Sequence, residues 1–424
     1  MRRTLTSALP GATPGEQVRL QGWVHRRREL AKVTFLVVRD RTGLAQVVLP
    51  AGADLPPEET PVEVVGTATA NEQAPGGVEV TDATVTPLSE PADTPAVELW
   101  RPNLDTGLPT LLDHAATTWR HPVQRAKWEL AAASLRGFRE TLDAQDFTEV
   151  HSPKLVEQAT ESGANVFEVD YFGRPAYLAQ SPQFYKQQLV GVFERVYEVG
   201  PVFRAEPHDT VRHLAEYVSL DVELGFVEDH HEVMDCLRDV VAGMVDGLRR
   251  YAAPAVERLG IELPVVPDKI PTLHFRDALE IAGAPADEPD LSPAHERALG
   301  DWAMREHGSA FVLVDGYPTA HRAFYSHPDP ADPSWSRAFD LIFRGIEMVS
   351  GAQRLHRYDD YVRTLEERGY PYEPYATYVE AFRRGIPPHG GFAIGLERWV
   401  GRLVEAANIR EVTLFPRDLH RLAP

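Results

Sequence analysis

Apolar and polar residues alternate from Val218 to Phe226, with Val218, Leu220, Val222, Leu224 and Phe226 set against Ser219, Asp221, Glu223 and Gly225. A period of two places each set on its own side of an extended chain. The segment therefore predicts a strand with one buried face, and with Asp221 and Glu223 together on the other. The run Val202 to Glu206 predicts its antiparallel partner, and the loop between, with His208, Thr210, Arg212 and His213, makes a basic hairpin tip above an acidic sheet face. Nearer the N-terminus, apolar runs at Val18 to His25, Val33 to Asp40, Leu44 to Leu49, Val62 to Ala70 and Val78 to Val85 predict five short strands, enough for a small barrel. Further on, helical spacing takes over. Trp128, Ala131, Leu135, Phe138 and Leu142 mark a helix from Arg125 to near Asp146, and Phe147 to Pro153 predicts a strand closed by proline. His230 to Tyr251 predicts a helix packed through Val233, Leu237, Val240, Met244 and Leu248, and Ser292-Pro293 the cap and first position of another. Leu396, Val400, Leu403 and Val404 predict a helix behind Gly390, Gly391 and Gly395, glycines whose missing side chains would let a ligand approach the backbone closely; a structural turn before the helix is the other reading. The pattern describes an α+β chain.

The Pro- and Thr-rich stretch Pro87 to Pro102 reads as a linker. The expected domains are therefore residues 1–90 and 125–424, joined by 91–124, with an insertion at about 229–334. At 424 residues the chain can bury two or three domain cores. Its net charge of −20, from 43 Lys+Arg against 63 Asp+Glu, opposes non-specific contact with polyanions. The distribution changes that picture: residues 1 to 50 carry nine Lys/Arg against three acids, whereas residues 51 to 100 carry no Lys or Arg. A basic half followed by an acidic one suggests an RNA-facing surface on the small domain; a solvated charged face is the other reading. Cys236 is the single cysteine, which excludes an intramolecular disulfide and a multi-cysteine zinc site. No apolar span reaches membrane length and MRRTLTSALPGATPGEQ lacks a signal-peptide core, so a cytoplasmic setting with no membrane partner is expected. The adjacent His230 and His231 are expected to point apart on their helix rather than share a metal.

Two stretches, FRAEPHDTVRHLAEY from Phe203 and GGFAIGLERWV from Gly390, each set an arginine among groups suited to a triphosphate. Positive groups there can offset charge on phosphoryl oxygens while carboxylates hold an ammonium or a metal. The chain has no G-x-x-x-x-G-K-[ST] and no strand-linked G-x-G-x-x-G. The two stretches resemble motifs 2 and 3 of the class II aminoacyl-tRNA synthetases, in the aspartate branch, and the resemblance extends over nearly the whole chain to FPRD at Phe415 to Asp418. The helix, strand and proline unit from Arg125 to Pro153 is similar to motif 1, which forms the class II dimer interface. The resemblance implies an N-terminal OB-fold β-barrel, a class II catalytic domain with an antiparallel β-sheet flanked by helices, and a homodimer. It implies ATP-dependent attachment of L-aspartate to tRNA(Asp) through an aspartyl-adenylate, with Mg2+ as cofactor.

Residue by residue, Gln180 to Lys186 (QSPQFYK) resembles the aspartate-binding signature Q-S-P-Q-x-x-K. The family pattern places Lys186 and Arg354 on the substrate side chain, and Glu161, Gln183 and Asp221 on its ammonium group, with Ser350 also beside the amino acid. A bidentate arginine and a lysine favour aspartate over asparagine, because a neutral amide would leave cationic donors poorly paired. Arg204 would bridge the α-carboxylate and α-phosphate and, with Arg398, carry catalysis. Arg212 and His213 would hold the outer phosphates and Glu206 the adenine amino group. Tyr217 and Arg398 would cover the two adenine faces. Leu214, Gly395, Leu396 and Glu397 complete the implied ATP site, and Glu347 and Ser350 would hold magnesium. Lys186 as a helix-surface charge and Arg354 as an ordinary salt bridge are the plain alternatives. Three departures from the pattern stand out: Pro207 where an acid is frequent, Ser162 where Gly is common, and Ala352 in place of Gly.

On the barrel, Arg28, Phe35 and Gln46 match the family's anticodon-binding face, where an aromatic stacks on a base, a glutamine reads an edge and arginines hold phosphates. Phe35 as a barrel-core residue is the competing reading. His25 and Pro75 occupy positions that in relaxed-specificity members admit both tRNA(Asp) and tRNA(Asn), and a tRNA-dependent amidotransferase would then act downstream on the mischarged product. The alternatives are an asparaginyl-tRNA synthetase and a non-catalytic RNA-binding paralogue.

Overall fold

The computed structural model describes residues 1–157, 165–207 and 209–423. They form two compact units, Met1–His121 and Pro122–Pro424.

In the first unit, β1 (Gln17–Glu29), β2 (Val33–Arg39), β3 (Leu44–Pro50), β4 (Pro61–Ala70) and β5 (Val78–Pro87) close into a barrel in the order β1-β2-β3-β5-β4. All five expected strands are present. Alternation along each strand sends Val18, Leu20, Val24, Leu36, Val38, Val47, Val62, Val64 and Val80 inward, where Leu9 from the preceding turn joins them. Closure pairs every strand on both sides and leaves no open edge.

The second unit is built on an eight-stranded sheet. Its strands in chain order are β6 (Thr148–Glu149), β10 (Arg195–Phe203), β11 (Glu216–Gly225), β12 (Thr272–His274), β13 (Phe311–Asp315), β14 (Ala338–Phe343), β15 (Ile346–Gln353) and β16 (His389–Gly395). A separate small sheet holds β7 (Leu155–Val156), β8 (Glu168–Tyr171) and β9 (Arg174–Leu178). The large sheet runs β12-β13-β14-β15-β16-β11-β10-β6; it is antiparallel through its centre but mixed at its ends, where β12 and β6 pair in parallel. The strand expected over Phe147 to Pro153 shrinks to Thr148–Glu149, because Glu198 captures the Ser152 N–H and hydroxyl with its carboxylate and so replaces the ladder.

The helices Pro122–Asp143 and His230–Tyr251 cover one sheet face, burying Val233, Leu237, Val240, Met244 and Leu248 as the spacing predicts. They approach closely enough that a Cβ on Gly137 would collide with the Gly243 carbonyl. Residues 229 to 334, expected as an insertion, supply this second helix, strands β12 and β13 and the helix Pro293–His307, whose Ser292 cap and first-turn proline are as expected. The span is woven into the sheet and its core. At the end of β11, Phe226 departs from the alternation: it sits at φ +61°, 66% exposed, because the strand stops at Gly225. No described helix is long and apolar enough to cross a membrane.

Candidate active site

β11 lies between β10 and β16, so both of its edges are paired, and Lys186 from the helix above and Arg354 sit on its polar face. Its polar face is therefore buried: Asp221 is 2% exposed and Glu223 fully enclosed. Across from them Lys186, from the helix Gln183–Phe193, is also 2% exposed, which removes the helix-surface reading. Lys186 Nζ lies 3.2 Å from Asp221 Oδ1 and 3.3 Å from Glu223 Oε2, and donates to the carbonyls of Val222 and Phe392. Arg354 follows β15; its Nε donates to Glu223 Oε1 at 3.1 Å and an Nη to the Gly391 carbonyl at 3.0 Å. Burial alone would raise the Glu223 carboxyl, but Arg354 and Lys186 more than offset it and hold the group below its usual range. Glu223 thus ties both cations together. It is absent from the sequence-derived set of ligands, although the alternation that placed Asp221 on the polar face also marked Glu223.

These side chains border a cavity of about 510 Å³ lined by Gln180, Gln183, Lys186, Arg204, Asp221, Ser350 and Arg354, with His321, Arg322 and Tyr325 on a wall the sequence did not suggest. The buried Gln183 Nε2 makes no hydrogen bond to described residues. Behind the cations, Gln187 donates to Tyr361 and meets His389 Nε2 at 3.0 Å, and Tyr378 donates to Gln187. Burial brings the His389 pKa down to about 4, so the ring is neutral beside Arg354. Glu161 and His208 lie outside the described residues.

A second cavity, of about 430 Å³, collects Arg204, Glu206, Arg212, His213, Leu214, Tyr217, Glu347, Ser350, Gly395, Glu397 and Arg398. Arg204, Tyr217 and Ser350 line both cavities, so Arg204 stands at their junction. Its guanidinium lies 5.8 Å from the Tyr217 ring centre and 4.0 Å from Glu206 Oε1. Arg398 donates to the Glu347 backbone carbonyl at 3.0 Å, and Arg212 meets Glu296 at 3.5 Å. Two members of the expected set stand apart. Leu396, 1% exposed, belongs to the hydrophobic core and does not line the cavity. Glu397 is committed to structure: both carboxyl oxygens accept from the Val218 N–H, and burial pushes its pKa up to about 7.

The tight glycines have a different cause from the one expected. A Cβ on Gly391 would strike Glu223 and the Val222 carbonyl, and one on Gly390 would crowd Val233 and the Ala352 carbonyl, so these two serve strand packing. Gly395 alone faces the second cavity with room to spare.

Between β14 and β15 an oxygen-rich cluster forms. Ser350 donates to Asp340 at 2.5 Å and lies 3.4 Å from Glu347 Oε1, while Arg322 pairs with Asp340 at 2.5 Å. Burial and then the Asp340 charge push the Glu347 pKa up to about 7, against the pull of Arg398 and Arg322. An all-oxygen set whose carboxyl resists ionisation without an added cation suits a hard divalent ion. Asp340 was missed, although a lone acid inside the apolar strand AFDLIF is a legible signal.

On the barrel, Arg28 pairs in register with Phe35, and Phe35 with Val48; one step along, Arg26 pairs with Val37 and Val37 with Gln46. Phe35 is half-buried and absent from the barrel core, which removes the core reading; the exposed Arg28 lies 5.9 Å from its ring. Gln46 donates to Glu79 at 2.9 Å. Pro75 is exposed. His25 is not: it is 6% exposed, its Nδ1 meets Arg39 at 3.0 Å, and Arg39 is clamped by both Glu59 oxygens. Burial and then Arg39 bring the His25 pKa down to about 4.

The sequence profile described as tRNA synthetases class II (D, K and N) matches residues 108–419, and that of the OB-fold nucleic acid binding domain matches residues 18–88. The chain is 44% identical to the aspartate–tRNA(Asp/Asn) ligase of Deinococcus radiodurans, over 100% of this chain and 99% of that protein. It is also 44% identical to the enzyme of the same name from Thermus thermophilus, over 97% of each. Among solved structures it resembles the asparaginyl-tRNA synthetase from Pyrococcus horikoshii complexed with asparaginyl-adenylate, at a TM-score of 0.92 and 30% identity over the full length of both.

Proposed function

The chain belongs to the class II tRNA synthetases of the D, K and N group, and from that premise we propose that it attaches L-aspartate to tRNA(Asp), and also to tRNA(Asn), at the expense of ATP. One observation carries the reading: Arg204 stands where the cavity built on Lys186 and Arg354 meets the cavity bordered by Tyr217 and Arg398. A group at that junction can touch an amino-acid carboxylate on one side and an α-phosphate on the other. The 44% identity to two aspartate–tRNA(Asp/Asn) ligases, against 30% to an asparaginyl enzyme, favours aspartate as the amino acid.

In this reading Lys186 and Arg354 receive the substrate β-carboxylate, while Asp221 and Gln183, whose Nε2 makes no hydrogen bond to described residues, border the amino-acid head; Glu161 is assigned to the same group. The α-carboxylate attacks the α-phosphate in line, giving aspartyl-adenylate and pyrophosphate, and Arg204 offsets the repulsion between the two anions. Arg212 and His213 meet the outer phosphates, Glu206 the adenine amino group, and Tyr217 and Arg398 the adenine faces. Leu214, Gly395 and Glu397 border the nucleotide site, and Leu396 supports it from the core behind. Glu347 and Ser350 would hold Mg2+, which supplies positive charge beside the phosphates. No side-chain nucleophile is needed.

We assign anticodon contact to residues 1–90 through Arg28, Phe35 and Gln46, a hinge to 91–124, and catalysis to 125–424, in a cytoplasmic homodimer. His25 and Pro75 mark relaxed tRNA choice, and a tRNA-dependent amidotransferase would consume Asp-tRNA(Asn). The test is charging of separate tRNA(Asp) and tRNA(Asn) transcripts with aspartate, using asparagine as control. Both transcripts should accept aspartate; charging of tRNA(Asp) alone would remove the relaxed specificity, and asparagine as the preferred amino acid would overturn the assignment.

A further inference from the structure

His230 and His231 were expected to diverge, yet their ring centres lie 4.2 Å apart. The cause is their place at the very start of the helix His230–Tyr251, where Asp229 caps the first turn by accepting from the His231 N–H. Asp315, at the end of β13, approaches both rings: its Oδ2 lies 3.3 Å from His230 Nε2 and 3.8 Å from His231 Nε2. Asp229 Oδ1 lies 3.2 Å from the other nitrogen of His231, Nδ1. Asp229, His230 and His231 each bring a ligand-capable atom within 4.8 Å of the others. His230 is also more than nine-tenths buried, and its Nδ1 makes no hydrogen bond to described residues.

From this juxtaposition we propose a binding site for a divalent transition cation of the zinc class, with Asp229, His230 and His231 as ligands and Asp315 as the carboxylate that orients His230. Bonds of about 2.0–2.1 Å in a tetrahedron hold ligand atoms about 3.3–3.5 Å apart, close to the 3.2 Å between Asp229 Oδ1 and His231 Nδ1. Two imidazoles with one carboxylate form a donor set that selects zinc, cobalt or nickel over magnesium. A carboxylate on the outer nitrogen of a ligating histidine fixes its tautomer and raises its basicity, which is the position of Asp315 on His230 Nε2, with Nδ1 left to meet the ion. None of the four residues lines either substrate cavity. The ion would pin the start of the helix, tied through Asp315 to the end of β13, and serve a structural purpose.

The test is cobalt titration of the chelator-treated full-length protein in excess Mg2+, so that the Glu347 cluster is filled by the harder ion. One cobalt per chain should bind with visible d–d absorption, be displaced by zinc, and raise the melting temperature. His231→Ala, at an exposed position, should fold and aminoacylate normally but lose at least about tenfold in cobalt affinity; Asp315→Asn should weaken binding less and keep the spectrum. Absence of the bands in wild type, or equal bands in His231→Ala, would overturn the proposal. Unchanged affinity in Asp315→Asn would overturn the orienting role. Sulfur-to-cobalt charge transfer would redirect the site to Cys236.

Discussion

Lys186→Met keeps the shape of the buried side chain and deletes its charge. The ammonium group lies 3.2 Å from Asp221 and 3.3 Å from Glu223, and all three residues are at most 2% exposed. At an effective dielectric of about 20, each contact is worth about 5 kcal/mol before desolvation is subtracted. Removing one partner of such a set costs about 3–5 kcal/mol net, since the remaining charges stay buried. For a domain of this size that predicts a fall of roughly 6–15 °C in melting temperature. The loss should also depend on pH. Glu223 has its folded pKa depressed in the wild type, so its contribution is present above the unfolded pKa and lost as pH falls through the folded value. Without Lys186 the folded pKa of Glu223 rises, and that destabilisation is relieved as the group takes up a proton. The second trend shrinks the gap between the proteins on going from about pH 8 to about pH 5, and the first adds to it only below the unfolded value of 4.5. Chemical denaturation across that range measures the gap, and aspartate-dependent pyrophosphate exchange should fall about 10- to 100-fold alongside. A gap below about 1 kcal/mol, or one that does not change with pH, would refute the pairing described.

Two further outcomes follow from the same geometry. With magnesium removed, Glu347 has a raised folded pKa, so its contribution is present below the unfolded value of 4.5 and is lost as pH rises through about 7; melting temperatures in chelator should show this decline, Mg2+ should reverse it, and Glu347→Gln should flatten it. Phe35→Ala should raise the Kd for tRNA by about 5- to 150-fold, the loss of one base stack, while leaving tRNA-independent pyrophosphate exchange and the barrel's melting temperature nearly unchanged, as calorimetry and filter binding would show.

Much of this was legible in the chain. The barrel strands, the β10 and β11 pair and the helix His230–Tyr251 follow long periodic runs, in which many residues agree on one register. What periodicity cannot report is which elements flank a strand. Asp221 and Glu223 were readable as a polar face, but only the packing of the helix Gln183–Phe193 and of Arg354 onto β11 encloses that face and makes Glu223 the shared partner of two cations. The same limit explains Gly390 and Gly391, whose neighbours are strands rather than a nucleotide. His25 is a third case. It lies at a register break in β1, between Val24 and Arg26, and the break turns it toward Arg39 and Glu59. Any influence of this residue on tRNA choice therefore passes through the placement of Arg39 rather than through direct contact with a base.

If the cavity bordered by Lys186 and Arg354 takes the amino acid as proposed, its charge leads to a less obvious expectation. Lys186 and Arg354 are matched by Asp221 and Glu223, so the four side chains sum to zero before any substrate enters. Asparagine would then leave neither cation stranded, because Glu223 still holds both. Its penalty is the loss of a charge-assisted bond, about 1.5–3 kcal/mol, and not the larger cost of an orphaned buried charge. Glu223→Gln changes that balance: the cluster gains a net positive charge, which aspartate satisfies with its side-chain carboxylate and asparagine does not. The amide retains an acceptor for Arg354 Nε, so the guanidinium keeps one tether. Catalytic efficiency in pyrophosphate exchange should therefore fall for both amino acids, but further for asparagine, and the ratio of the two should widen by about tenfold or more. If the ratio narrows in a variant that still binds ATP normally, Glu223 contacts the substrate itself rather than setting the charge of the cations around it.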